Sequence, residues 1–256
     1  MHWNIDPILL SIGPIKLHWY GLLFALGLLG GYQIAEYMFK REGKDIKLLE
    51  PLFLYIVIGM VVGSRLAHVL FYDFSYFSKH PIEILYVWRG GLASHGGFLG
   101  VILALWLFSK KYNFSFAWLL SRGSIVAMLV ATFIRIGNFF NSEIVGIKTN
   151  SSFGVIFDRV DNFPRHPVVL YEALSYFIIF LILLYLYRNI SLEKFTKIAF
   201  GLTLTLGFGA RVFIEQFKTT QSEFATSLPL SMGQMLSIPF ILIGVALLIY
   251  GLKQKN

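Results

Sequence analysis

Apolar residues run through this chain in long unbroken stretches, and the short segments between them gather most of the charge. Seven runs can be marked, at 17–39, 48–72, 91–108, 116–136, 168–187, 198–217 and 230–252. Each is close to or above the roughly 20 residues that an α-helix, rising about 1.5 Å per residue, needs to cross a hydrocarbon core about 30 Å thick. Only helices and closed barrels satisfy their own backbone groups inside lipid. The pattern therefore predicts an all-α polytopic membrane protein of about seven transmembrane helices. The first run lacks the basic n-region and the cleavage site of a signal peptide and is too long for its apolar part, so it reads as a retained helix. The longest polar stretch, 147–167, predicts a small extracytoplasmic head or lid: 153–157 suits an extended piece, and 158–164 is rich in the Asp, Asn and Pro of turns. So much of the chain is spanning sequence that 1–256 is expected to form a single transmembrane domain.

Composition agrees with the pattern, being 56% hydrophobic and only 14% charged with a mean hydropathy of +0.68. The cations add an orientation, because Lys and Arg in short loops stay on the cytoplasmic side. Lys40, Arg41, Lys44 and Lys47 follow the first run, Lys110 and Lys111 the third, Arg188, Lys194 and Lys197 surround the loop after the fifth, and Lys253 and Lys255 end the chain. The other loops mix Lys16, Lys79, Arg89, Lys148, Arg159, Arg165 and Lys218 with Asp73, Glu83, Glu143, Asp158, Asp161 and Glu223. The N-terminus is thus expected outside and the C-terminus in the cytoplasm. The net charge of +8 follows from this asymmetry and from attraction to anionic headgroups; nucleic acid binding would need a soluble basic surface. With no cysteine there is no disulfide, thiolate metal site or cysteine nucleophile, so any reacting thiol comes from a substrate. Six histidines show no metal-ligand spacing, and neither a metal nor a cofactor is expected.

Candidate chemistry sits where polar groups interrupt lipid-depth sequence. Arg135-Ile-Gly-Asn-Phe-Phe-Asn-Ser-Glu-Ile-Val-Gly146 places a cation, two carboxamides and a carboxylate directly after an apolar run. A guanidinium near the bilayer centre costs roughly 2.5–3.5 kcal/mol on insertion scales and is kept where a partner, water or a charged ligand meets it. Gly137 and Gly146 are expected to let the backbone leave helical geometry near a ligand, while Asn138 and Asn141 donate and accept hydrogen bonds and Glu143 adds a carboxylate. Together they suit an anionic headgroup.

Three further clusters carry polar groups. His18-Trp-Tyr-Gly21 reads as an aromatic belt at a helix end. Arg89-Gly-Gly-Leu-Ala-Ser-His95-Gly-Gly-Phe-Leu-Gly100 surrounds one imidazole with five glycines. The glycines suit close helix packing; a histidine at this depth, with an ordinary pKa near 6.5, suits proton acceptance. Ser94 is adjacent in sequence and so faces away from His95 on a helix, which disfavours a serine hydrolase dyad. Arg211-Val-Phe-Ile-Glu215-Gln-Phe-Lys218 puts charges on one predicted helix face, where Arg211 and Glu215 suit a self-contained pair. Arg65 and Arg122 are expected nearer the inner halves of their helices, snorkelling or paired structurally.

The Arg135 to Gly146 string resembles the signature of the bacterial prolipoprotein diacylglyceryl transferases, Arg-x-Gly-Asn-Phe-x-Asn-x-Glu-x-x-Gly, at every fixed position. Similar strings to those of the family follow in order: His18-Trp-Tyr-Gly21, Gly91-x-x-x-His95-Gly-Gly97, His166-Pro-x-x-Leu-Tyr171-Glu172, Arg211-x-x-x-Glu215 and Ser231-Met-Gly-Gln234. One departure is Gly207, where the family commonly has Tyr. The resemblance implies transfer of the diacylglyceryl group of phosphatidylglycerol to the lipobox cysteine thiol in a prolipoprotein signal peptide, with release of glycerol phosphate. It implies catalytic roles for His95, Arg135 and Arg211, with His95 as general base. It implies substrate contacts from Arg135, Tyr20, Asn138, Asn141, Glu143, Gly146 and Glu215. It further implies a multi-pass protein of the bacterial cytoplasmic (inner) membrane whose active site faces the extracytoplasmic side. Two other classes also place arginines and glycines at lipid depth or a serine beside a histidine: an anionic-lipid transporter, whose paired broken helices are not seen, and an intramembrane hydrolase.

Overall fold

The computed structural model describes residues 1–219 and 231–254. Glu223, the start of the predicted last run at Leu230, and Lys255 lie outside the described residues. The long helices are α1 (Trp19–Arg41), α2 (Leu49–Phe71), α4 (Ser94–Lys111), α5 (Phe116–Phe140), α6 (Val168–Asn189), α7 (Leu192–Glu215) and α8 (Met232–Lys253), with a single-turn α3 at Phe74–Phe77. Five short strands join them among the described residues: β1 (His2–Trp3), β2 (Ile8–Ile12), β3 (Ile15–His18), β4 (Val155–Phe157) and β5 (Pro164–Arg165). Six helices among the described residues are long and apolar enough to cross a membrane: α1, α2 with the turn before it, α5, α6, α7 and α8. The chain is a mostly helical, polytopic membrane protein. α4 occupies the place of the predicted third span and holds 18 residues, including His95, Lys110 and Lys111.

The chain divides into two compact units. One comprises Met1–Ile34 and Ser121–Asn256. Here the glycines of α1 admit α5: a side-chain carbon on Gly27 or Gly31 would lie 3.0 Å from Phe133 or 2.8 Å from Val126. α7 and α8 approach in the same manner, Gly201 facing the Gly244 carbonyl and Gly251 the Lys197 carbonyl. Lipid competes for apolar faces as well as a leucine does, so close approach of small residues supplies the packing between helices. Ser191 caps α7 through the Lys194 amide, and Ser231 caps α8 in a reciprocal box with Gln234.

This unit also carries a small β layer. β4 pairs antiparallel with β5 and parallel with β1, in the order β1-β4-β5. Its core is Phe139, Val155, Phe157 and Val169, packed with Trp3, Ile144, Val145 and Leu170, which fastens the end of α5 to this layer. The predicted extended piece and turn-rich segment are present. A hairpin of β2 and β3 around Gly13 (φ 57°) was not anticipated; the expected first run begins at residue 17, within β3.

The other unit is Ala35–Leu120. α2 and α4 pack antiparallel through Gly59 against Gly100 and Gly63 against Gly96, so tightly that a carbon added to Gly96 would lie 2.2 Å from the Gly63 carbonyl oxygen. At one end Phe39, Phe114 and Trp118 cluster, Trp118 Nε1 donates to Glu42 (2.6 Å), and Lys44 lies over the Phe114 and Trp118 rings. The segments after α1 and after α4 therefore meet.

Candidate functional site

α5 does not end where the polar residues begin. It continues to Phe140, so Arg135, Gly137 and Asn138 are helical, contrary to the expectation that Gly137 releases the backbone. The helix persists because its amides keep their internal partners: the Asn141 amide still donates to Gly137 O (3.1 Å), and Arg159 Nη2 takes the Phe140 carbonyl (2.7 Å). Gly137 serves a close approach, since a side-chain carbon there would lie 2.8 Å from Tyr20 Cδ2. Beyond the helix the chain reverses through Ser142 and Ile144, both at positive φ (55° and 53°). The Glu143 amide returns to Asn138 O (3.0 Å), which folds the carboxylate back over the last helical turn.

The side chains then connect in series. Arg135 Nη1 donates to Asn138 Oδ1 (3.2 Å), Asn138 Nδ2 donates to Glu143 Oε2 (2.7 Å), and Asn141 Nδ2 donates to Glu143 Oε1 (3.1 Å). A guanidinium only donates and a carboxylate only accepts, so this order fixes the orientation of the Asn138 amide. Asn141 Oδ1 is buried with no hydrogen-bond partner among the described residues. Tyr20, at the start of α1, lies within electrostatic reach of both Glu143 and Arg135. Arg135, Asn138, Asn141, Glu143 and Tyr20 thus form one cluster.

A second set of ionic contacts meets it at Arg135. Glu172 of α6 is fully buried; its Oε2 lies 2.9 Å from Arg135 Nε and its Oε1 accepts from Lys218 Nζ at 2.7 Å. Lys218 also lies 3.2 Å from Glu215 Oε2. Glu172 Oε2 and Glu215 Oε2 are at ion-pair distance but outside hydrogen-bond geometry, leaving each able to take a better-aligned donor. The single charged face predicted for the sixth run, 198–217, is corrected here. α7 stops at Glu215, and Lys218 follows in a bridge to Gly146. The expected Arg211–Glu215 pair is absent among the described residues: Glu215 pairs with Lys218, and its carboxylate fills the niche left by Gly233 in α8. Arg211 has no ion pair among the described residues; together with Arg135 and Glu172 it lies within electrostatic reach of Tyr176. Gln234 both caps α8 and donates to Val212 O (3.2 Å), a packing role.

Gly146 stands where three segments converge. Its amide donates to His166 O (2.9 Å), its carbonyl accepts from Arg165 Nη1 (2.9 Å), and a side-chain carbon on it would lie 2.5 Å from His166 O and 2.6 Å from Phe217 O. Close backbone approach, not a left-handed φ, requires glycine there. Arg165 is itself clamped by Asp161, Nε to both carboxylate oxygens (3.1 and 3.0 Å) and Nη2 to Oδ2 (2.5 Å), which holds the Asp161 carboxyl below its usual range.

His95 belongs to the other unit, exposed in the first turn of α4, with no hydrogen bond or ion pair among the described residues. Arg65, expected to snorkel or pair structurally, lies in the C-terminal third of α2, 5% exposed and bound to loop carbonyls. Arg122, 3% exposed, donates to Ser121 Oγ (2.8 Å) and to Thr196 Oγ1, below the rings of Tyr187 and Phe195. Sequence reasoning underweighted Glu172 and Lys218 and missed Tyr176. The available signal was a carboxylate inside an apolar run with a tyrosine one turn on, at i and i+4. Gly207 is buried, and a side-chain carbon on it would meet none of the described residues' atoms within 4 Å outside the helix's own backbone and its chain neighbours.

Known proteins are similar in sequence to this chain over nearly its whole length. The family model for prolipoprotein diacylglyceryl transferase matches residues 7–250. A phosphatidylglycerol–prolipoprotein diacylglyceryl transferase of Tolumonas auensis is 51% identical over 256 residues, covering 100% of this chain and 99% of the relative. Proteins of the same name from Chloroherpeton thalassium and Bacteroides fragilis are 46% and 40% identical, covering 99% and 100% of this chain and 95% and 97% of their own lengths. The chain belongs to the prolipoprotein diacylglyceryl transferase family.

Proposed function

We propose that this chain moves the diacylglyceryl group of phosphatidylglycerol onto the lipobox cysteine thiol of prolipoproteins, releasing glycerol phosphate. It is a transferase, and its partners are phosphatidylglycerol and a prolipoprotein. The thiol proton passes to His95, because the thiolate is the competent nucleophile. The sulfur attacks the glycerol carbon that bears the phosphoester oxygen; the C–S bond forms, the C–O bond breaks, and its electron pair leaves on the phosphate.

The observation that carries this reading is the uneven pairing of the cations. Lys218 occupies Glu215 and one oxygen of Glu172, while Arg211 has no ion pair among the described residues and Arg135 keeps a carboxylate on Nε alone. Guanidinium groups hold a phosphate through forked hydrogen bonds and stabilise the charge it gains on leaving. Asn141 Oδ1, a buried acceptor with no donor among the described residues, suits a headgroup hydroxyl. Tyr20, Asn138, Glu143, Gly146 and Glu215 position the lipid and the loops around it.

The proposal extends to topology. α4 is taken as a seventh span, the N-terminus as outside, and the site as extracytoplasmic in the bacterial inner membrane, with 147–167 as the head of a single transmembrane domain. The meeting of the cationic segments after α1 and α4 supports a common cytoplasmic end. Because the chain has no cysteine, single cysteines at Lys44 and Lys194 should label only when reagent reaches the cytoplasm, and those at Asn150 and Asn162 from outside. The reverse pattern contradicts the orientation. Purified protein incubated with phosphatidylglycerol and a lipobox peptide tests the activity itself. Mass added as diacylglyceryl on the peptide cysteine is expected; released fatty acid, or lipid movement with unmodified peptide, overturns the reading.

A further inference from the structure

Arg65 gives four of its five N–H donors to backbone carbonyls of the loop that leads into α4. Nε donates to Ile84 O (2.8 Å), Nη1 to Gly90 O (2.7 Å) and Gly91 O (3.2 Å), and Nη2 to Glu83 O (2.6 Å). The guanidinium lies 4.8 Å over the Phe77 ring. No carboxylate pairs with it among the described residues: the Glu83 side chain takes Arg89 and Tyr76, and Asp73 takes His68. A buried charge satisfied by carbonyls alone is costly in a membrane protein and calls for a use.

The carbonyls it gathers lie in one short 3-10 turn, Pro81–Leu85, and in Gly90-Gly91, two glycines at positive φ (85° and 71°). Gly91 is required by crowding as well as by φ, since a side-chain carbon there would lie 2.8 Å from Arg65 Nη1. Two residues later the Ala93 amide donates to Ser64 O (3.0 Å), and Gly96 and Gly97 press against Gly63 and Ser64. His95 sits between these two fastenings. Its imidazole has no hydrogen bond among the described residues, so its place is set by its backbone, and that backbone is set by the Arg65 loop and the α2 contact.

We infer that Arg65 is a positioning residue for His95, acting through the 83–91 loop. The inference rests on the reading of His95 as the base. A lysine has three donors on a flexible stem and cannot reproduce this fork. Initial transfer rates of detergent-purified wild type, Arg65→Lys, His95→Gln and the double variant, measured from neutral to alkaline pH and against phosphatidylglycerol concentration, test it. Arg65→Lys should lose about tenfold or more in kcat with KM for the lipid within about twofold, because misplacement of a base slows chemistry without removing lipid contacts. Alkaline buffer supplies thiolate, the free thiol having a pKa of about 8.5, and should recover part of the loss in both single variants. The double variant should be no slower than His95→Gln. The other titrating groups of the loop, His68 with Asp73 and Glu83 with Arg89 and Tyr76, are common to all four proteins, so each profile is read relative to wild type.

If His95→Gln shows no alkaline recovery, the base reading fails and this inference falls with it. If His95→Gln recovers while Arg65→Lys keeps its kcat, loses it equally at every pH, or multiplies the defect in the double variant, the Arg65 inference alone is overturned. Should Arg65→Lys not accumulate, Phe77→Leu removes the ring beneath the guanidinium and keeps its hydrogen bonds. It should give the same alkaline-recovering defect at smaller amplitude, and a rate that is unchanged or flat with pH overturns the inference.

Discussion

The two ends of α5 each hold an arginine, and they use it differently. Arg122 is 3% exposed and spends its donors on the hydroxyls of Ser121 and Thr196 beneath two aromatic rings. Arg135 keeps 19% of its side chain exposed, donates to Asn138, which in turn donates to Glu143, and pairs with Glu172, whose other oxygen meets Lys218 and through it Glu215. One end is a sealed contact between helices. The other is a polar network with unused hydrogen-bonding capacity, at Asn141 Oδ1 and at the misaligned carboxylate oxygens. Burial and charge alone do not separate the two arginines; the capacity left over around each one does.

Substitution by lysine breaks this comparison most sharply. Arg135→Lys keeps the charge and loses the fork, and turnover should fall by about 100-fold or more, while the protein still purifies as a folded species. Arg122→Lys should keep turnover within about threefold and lower thermal stability, since a buried donor set costs about 1–3 kcal/mol when partners are left unmet. Equal losses of turnover at both positions would erase the distinction.

Glu172→Gln comes next. Removing one partner of a buried pair leaves uncompensated charge, which costs about 3–5 kcal/mol, and here Arg135 loses its paired carboxylate while Lys218 keeps only Glu215. A clear drop in thermal unfolding temperature is expected, together with a rise in KM for the lipid as Arg135 and Lys218 relax apart. Unchanged stability would mean that this pairing contributes nothing to the fold. Gly137→Ala should act more mildly, raising KM a few-fold by displacing the Tyr20 ring 2.8 Å away; Gly43→Ala in the exposed turn after α1, where φ is +63°, serves as a control that strains the backbone without touching the site.

The smallest effect concerns the head. The Asp161 carboxyl is held below its usual range by its hydrogen bonds to Arg165, so the clamp adds stability that is full above the ordinary carboxylate pKa of about 3.9 and is lost as pH falls through the lowered folded value. The pair is solvent-accessible, so the contribution is small. Hydrogen exchange of the 147–167 amides should be faster in Asp161→Asn than in wild type near neutral pH, and the difference should vanish in acid. A difference that persists below the lowered value would assign the effect to something other than ionisation.

Most of the helical frame was legible because lipid-depth helices announce themselves by length and apolarity. The fourth run, expected from 116, begins there, and α6 begins at 168 as expected. What misled the reading was the expectation that Gly137 lets the backbone leave helical geometry: Gly137 and Asn138 continue α5, because the Asn138 side chain finds partners while the backbone keeps its own. The reverse error occurred at Lys218, whose spacing from Glu215 suits a helix that has already stopped. β1 was beyond reach, since two residues at the N-terminus become a strand only by pairing with Ile156 and Phe157. Within the site, the signature marked Arg135, Asn138, Asn141 and Glu143 correctly as neighbours. The Glu172–Lys218 link was hidden, because a pattern along the chain carries no information on which distant charge a buried carboxylate will meet.

The central claim is that a phosphate leaves from a lipid carbon as a thiol takes its place. Quantifying glycerol phosphate and diacylglyceryl-modified peptide in the same reaction, with purified protein and phosphatidylglycerol, tests it most directly. The account predicts that the two products appear in a one-to-one ratio and that Arg135→Lys lowers both rates together. Lipid cleaved without peptide modification, or modification without glycerol phosphate, would contradict it.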